Sequence, residues 1–147
     1  MKAALKSKLL IKGVKKMCVF CKIIKGEIPS YKIYEDEYTY AFLDIAGDVF
    51  GHTLVIPKNH AENIFDASEE DLSHTIKSVK KIAEHYKEVF AGGVNILNCS
   101  DKCAEQSVFH LHFHIYPRKE NDNLKICPNI PKTEIDFEKC QEKLKIK

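Results

Sequence analysis

The amino-acid sequence predicts a single α+β domain, and three features of its 147 residues carry that prediction. Apolar and polar residues alternate with period two in several short segments, the pattern of half-buried strands. One longer stretch switches to the 3.6-residue period of an amphipathic helix. Turn-forming residues separate these segments, and the length suffices for one core that buries roughly 70% of the surface an unfolded chain exposes.

The first sixteen residues carry six lysines (Lys2, Lys6, Lys8, Lys12, Lys15 and Lys16) and no acid. They lack the arginines of a transit peptide and the cleavage site of a signal peptide, so residues 1–16 are expected to be a disordered basic extension and residues 17–147 the domain. Met17, directly ahead of the first cysteine motif, is a second possible start. Residues 18–24 are compact and partly apolar, and 26–30 (G-E-I-P-S) read as a turn. Residues 31–35 and 38–45, rich in aromatic and β-branched side chains, read as strands joined by the charged Glu35-Asp36-Glu37. Gly47-Asp48 ends the second strand, and residues 52–57 form a third.

Ser68 followed by Asp71 resembles a capping box, and Leu72, Ile76, Val79, Ala83, Tyr86 and Phe90 then recur at steps of four and three. One helix over 68–90 satisfies this spacing, with Lys77, Lys80, Lys81, Glu84, Lys87 and Glu88 mainly on its solvated side and Gly92-Gly93 as its stop. Residues 94–98 read as a fourth strand. In 108–116 Phe109, Leu111, Phe113 and Ile115 alternate with His110, His112 and His114, so this segment is expected to be a central strand with its apolar side on the long helix. Beyond Arg118 the chain is polar and broken by proline until 136–144, where Phe137, Cys140 and Leu144 are expected to seat a short terminal helix.

The formal charge of +2 conceals an asymmetry, because setting the six leading lysines aside leaves 17 basic against 21 acidic residues. A body of that sign is poorly suited to sequence-independent nucleic-acid binding, which draws on phosphate neutralisation. No apolar run reaches the roughly 20 residues that span a bilayer, so no membrane partner is expected. Six cysteines without a signal peptide point to reduced thiols or a metal site and a cytoplasmic location. Cys99 and Cys103 share one loop and are read as free thiols, with a cross-link or metal ligation as the alternative.

Three imidazoles on one strand face are the chemical signal. Burying them without partners would cost several kcal/mol, which argues against an idle role. Either they bind a catalytic metal, for which no second cluster of Asp and His is evident, or one of them is a nucleophile, mostly neutral at pH 7 with an unperturbed pKa of about 6.5. Separately, Cys18-Val19-Phe20-Cys21 has the spacing of half a zinc site and needs two further ligands, from His60, His110 or the Cys99/Cys103 pair.

The segments CVFCKIIKGEIPS, YEDEYTYAFLDI, GHTLVIPKNH, VNILN and QSVFHLHFHIYPR, in this order, resemble the histidine-triad (HIT) superfamily in its nucleotide-binding branch with a bacterial-type zinc site. The resemblance implies an antiparallel five-stranded sheet with one long helix, paired into a homodimer. It places His112 as the nucleophile, His114 and His52 as the other active-site histidines, and Gln106 with Ser107 in the segment that contacts the phosphate and leaving group. Asp44 and Ile45 correspond to the ribose wall and Asn98 to a polar contact near ribose and phosphate. Cys18, Cys21, His60 and His110 correspond to the ligands of a structural zinc, while His74 and His85 match nothing and are expected at the surface.

The implied activity is hydrolysis of nucleoside 5′-phosphoramidates or related AMP conjugates through a nucleotidyl-histidine intermediate. Dinucleoside polyphosphate hydrolysis, nucleotidyl transfer, and nucleotide sensing with incidental turnover are the alternatives. One departure stands out: Glu105 occupies the position before Gln106 where the family usually has glycine, forfeiting glycine's backbone freedom. Past Arg118 the resemblance fades.

Overall fold

A computed structural model describes residues 18–126 and 130–146, so the lysine-rich extension, Met17 and Cys127 lie outside the described residues. The elements are α1 (Val19–Ile24), β1 (Lys32–Glu35), β2 (Thr39–Leu43), β3 (Thr53–Pro57), α2 (Glu69–Phe90), β4 (Gly93–Leu97), a 3-10 turn (Lys102–Ala104), β5 (Phe113–Arg118) and α3 (Phe137–Leu144). The strands make one sheet in the order β1-β2-β3-β5-β4, every neighbouring pair antiparallel.

Pairing of Tyr40 with Ile56 and Phe42 with Leu54 builds one face of the sheet, which packs with Phe20 and Ile23 of α1. Ala41, Val55 and Ile115 point to the other face, against Val79, Ile82 and Tyr86 of α2. Both faces of β2 and β3 are therefore covered, and these strands are apolar on both sides rather than alternating.

Ser68 caps α2: its hydroxyl accepts from the Asp71 amide at 3.0 Å and donates to the Asp71 carboxylate at 2.7 Å. Glu69, Glu70 and Asp71 complement the positive end of the helix. The buried face is rotated from the expected one. It holds Thr75, Ser78, Val79, Ile82 and Tyr86, whereas Ile76 is 48% exposed. Thr75 and Ser78 go inward because their hydroxyls find acceptors there, the Asp71 carbonyl at 2.6 Å and Asp36 Oδ2 at 3.2 Å.

The helix stops at Ala91, which takes a left-handed φ of 50°, and not at Gly92-Gly93. Gly92 is needed for a different reason, since a Cβ there would lie 1.9 Å from the Arg118 carbonyl oxygen at the end of β5.

Asp36, read from sequence as part of a charged connection, clamps that turn to α2. Its carboxylate accepts from the Tyr38 and Thr39 amides, the Thr39 hydroxyl, the Tyr34 phenol and Ser78. Burial alone would raise its pKa, but these donors hold it down to about 2.

Three further expectations are corrected. The fifth strand begins at Phe113, because the His110 amide turns back to the Val108 carbonyl and the Leu111 amide donates to Ala61 across the molecule. The central strand is β3, with β5 beside it. Helix α3 forms with Asp136 as its cap, but Phe137 and Leu144 stay exposed and seat nothing. No described helix is long and apolar enough to cross a membrane.

Candidate active site and metal centre

The three imidazoles of 110–114 lie on the α1 side of the sheet, and the hydrogen-bond partner of each sets which of its ring nitrogens is free. A carbonyl oxygen only accepts, so each ring nitrogen bonded to one must carry a hydrogen. His110 Nε2 donates to the Pro57 carbonyl at 2.9 Å, leaving the Nδ1 lone pair facing Cys18, Cys21 and His60. His112 Nδ1 donates to the His110 carbonyl at 2.6 Å, which leaves its lone pair on Nε2. His114 uses Nδ1 at 2.9 Å from His52 Nε2.

Burial pushes the pKa of His112 down and those of His110 and His114 to about 4. All three are neutral at pH 7. No described hydrogen bond engages His112 Nε2, and no buried side-chain nitrogen lacks a partner, so this lone pair reaches solvent.

It reaches solvent through a cavity of about 490 Å³. The walls come from α1 (Phe20, Ile23), the turn after it (Ile28 to Tyr31), the end of β2 (Leu43 to Ile45) and the approach to β5 (Ser107, Val108). His112 and His114 form the polar end with Asp44. Phe20 meets the edge of the His112 ring at 5.5 Å between centroids and so holds it in place. Ser107 and Ile45 both line the cavity and are exposed, Ile45 at 86%.

His52, almost fully buried just ahead of β3, lies behind His114 and stacks on Tyr116. Asn98 is set back from the cavity: its amide donates to the His112 carbonyl at 2.9 Å, fixing the backbone of that residue.

Gln106, expected in a phosphate-contacting segment, turns its side chain inward. It is buried and fully engaged, accepting from the Asp101 amide and donating to the Glu62 and Val108 carbonyls. It braces the loop that presents Ser107. Glu105 adopts a left-handed φ of 65° and Asp101 a φ of 80° with ψ of 164°, so this loop stores backbone strain of order 1–3 kcal/mol per residue.

Cys18, Cys21, His60 and His110 converge on one point. The His60 and His110 Nδ1 atoms are 3.2 Å apart, and the sulfur-to-nitrogen separations are 3.3–3.6 Å. Tetrahedral coordination at usual zinc bond lengths requires nitrogen–nitrogen and sulfur–nitrogen edges of about 3.3–3.6 Å, so the four groups fit a zinc ion. The His110 bond to Pro57 supplies the outer partner that fixes its metal-facing nitrogen.

A second group, Asp44, His52 and His114, also brings its donor atoms within 4.8 Å of one another, which corrects the expectation that the chain has no such cluster. Hydrogen bonds at 2.8 and 2.9 Å already occupy both His52 nitrogens and His114 Nδ1. Cys99 and Cys103 are free thiols and belong to neither group. His85 is exposed, while His74 is half-buried in a stack on Tyr38 at 3.7 Å.

Sequence reasoning missed Asp48. Its Oδ1 accepts from His52 Nδ1 at 2.8 Å. The four-residue spacing of Asp48 and His52 was visible, but the loop conformation that closes it was not.

The HIT domain family model matches residues 25–121. The chain is 41% identical over 122 residues to adenosine 5′-monophosphoramidase HNT1 of Saccharomyces cerevisiae, covering 83% of this chain and 75% of that relative. It is 51% identical over 102 residues to the protein named hit of Bacillus subtilis, covering 69% and 70%. A solved structure described as a Zn-bound histidine triad family protein from Mycobacterium smegmatis is similar at a TM-score of 0.71 and 40% identity, covering 74% of this chain and 80% of that one.

Proposed function

Because the chain belongs to the HIT domain family, we propose that it is a nucleotide hydrolase that cleaves adenosine 5′-phosphoramidates or related AMP conjugates through a nucleotidyl-histidine intermediate. The observation that carries this reading is the lone pair of His112, directed to Nε2 by the His110 carbonyl and open to the cavity. Similarity to a phosphoramidase supports the substrate class.

In the first step His112 Nε2 attacks the α-phosphorus and the amine departs with a proton, for which the Ser107 hydroxyl on the rim is the available donor. Water then cleaves the phosphorus–nitrogen bond to His112 and releases AMP. His114 and the donors around it stabilise the phosphoryl oxygens. Asp44 and Ile45, which line the cavity, would meet the ribose in this reading.

Zinc bound by Cys18, Cys21, His60 and His110 would tie α1 to the loops after β3 and before β5, a structural role. Turnover of a fluorogenic adenosine phosphoramidate should exceed that of a dinucleoside polyphosphate at equal concentration. The reverse order would move the assignment to phosphoanhydride cleavage.

A homodimer completes the proposal. Strand β4 is a sheet edge, and beside it Ile76, Ala83, Val94 and Ile96 line an open apolar depression with Ile76 and Ile96 about half exposed. Light scattering at micromolar concentration should give twice the chain mass, and a monomer mass would count against this arrangement.

A further inference from the structure

Asp48 has no part in the scheme above, yet it begins a chain of hydrogen bonds that ends in the cavity. Its Oδ1 accepts from the Val49 amide at 2.7 Å and from His52 Nδ1 at 2.8 Å. The opposite nitrogen of that ring, Nε2, is 2.9 Å from His114 Nδ1, and His114 lines the cavity. His52 is 3% exposed and held face to face with Tyr116 at 4.0 Å, so the ring cannot swing out of line. Burial would raise the pKa of Asp48, but the His52 ring and the Val49 amide hold it below the usual range, so the group is a carboxylate at neutral pH.

Counting hydrogens along the chain gives two states. A carboxylate only accepts, so His52 carries a hydrogen on Nδ1 in both. When the pair of rings is neutral, His52 Nε2 is a lone pair, His114 must donate from Nδ1, and His114 Nε2 is bare. With one proton more, His52 Nε2–H donates to His114 Nδ1, and the hydrogen of His114 resides on Nε2. The pair thus offers the cavity an acceptor in the first state and a donor in the second. A phosphoryl oxygen is itself an acceptor and can bond only to the second.

The geometry points to Asp48 as a positioning residue that acts through His52 to make His114 Nε2 a donor, so that a phosphoryl anion binds together with one proton. This rests on the nucleotide reading above and deepens it.

The groups facing the pair are Asp44 and Asp48 from the β2–β3 connection, and His112 and Tyr116 from β5 and its approach; Cys99, from the loop after β4, acts on Tyr116. The two carboxylates favour the added proton. Burial and the neighbouring imidazoles disfavour it on His114, whereas the His52 ring has the Asp48 carboxylate bonded to it at 2.8 Å.

The test uses the O-methyl ester of AMP, a monoanion whose phosphate does not titrate near neutrality. Calorimetry in buffers of different ionisation enthalpy should show uptake approaching one proton per chain at alkaline pH, with Kd rising about tenfold per pH unit there. Asp48→Asn keeps an oxygen acceptor for His52 but removes the charge. It should move the onset of weakening to lower pH and weaken binding severalfold at about pH 8, with little effect at acid pH. Nitrogen-15 spectra of the ligand-free chain at about pH 8 should place the His114 hydrogen on Nδ1.

Binding without proton uptake, an equal loss at every pH in Asp48→Asn, or a hydrogen on His114 Nε2 in the free chain would each overturn the inference while leaving the nucleotide reading intact. Failure of the ester to bind at any pH would sink that reading, and the ligand assigned here with it.

Discussion

Replacing His112 with Asn should lower phosphoramidate turnover by several orders of magnitude while AMP affinity stays within about tenfold. Asn fills much of the ring's space and preserves a polar group at the cavity end, but it has no lone pair able to form a bond to phosphorus. The covalent route is then lost as a whole. His114→Ala should raise the barrier by the value of one lost donor, roughly 2.7–4 kcal/mol. Rapid-quench experiments with labelled substrate should trap an acid-labile nucleotidyl adduct on His112 in the wild-type chain and none in the Asn variant. Retention of more than about a tenth of the activity, or a label mapping elsewhere, would rule out the mechanism.

Removing the metal should have the largest effect on stability. Chain purified without an affinity tag should contain about one zinc, and a chelator should lower its thermal midpoint markedly. Zinc held at about a thousand times its Kd contributes about 4 kcal/mol. For a chain of this length that corresponds to roughly 8–16 °C. The Cys18→Ala, Cys21→Ala double variant should start at the lowered midpoint and respond no further to the chelator. Zinc content equal to wild type in that variant would show that the ligand set is wrong.

Much of the fold was legible because turn residues mark where its segments begin and end. The strands announce themselves as short runs of aromatic and β-branched residues and the long helix by its 3.6 period, and Ser68 marks the start of α2 within one residue. What was not legible depended on partners distant in sequence. The apolar spacing did not include Thr75 and Ser78, which go inward because Asp71 and Asp36 supply acceptors. The alternation from Val108 to Tyr116 looked like one strand, but Ala61 pulls Leu111 out of the ladder. Helix α1 is six residues long, too short for a period to show.

The site divides in the same way. Side chains brought together on the α1 face were recognisable as a pattern, including the cysteine and histidine group. The direction of a polar side chain was not, as Gln106 turning inward and Asp48 turning towards His52 show.

Residue 110 connects the two centres by sharing one amino acid between them. Its ring belongs to the metal group and is tied to the end of β3, while its carbonyl fixes which nitrogen of His112 is free. Any residue provides a carbonyl, but here that carbonyl is held from two sides, by the anchored imidazole of its own residue and by the Leu111 amide of the same peptide unit bonding to Ala61. Zinc on ring 110 and a nucleotide at His112 are therefore expected to share a coupling free energy, and coupling of this kind is reciprocal: to the extent that metal at ring 110 steadies the nucleotide-binding form, a bound nucleotide would tighten the hold on the metal by the same factor.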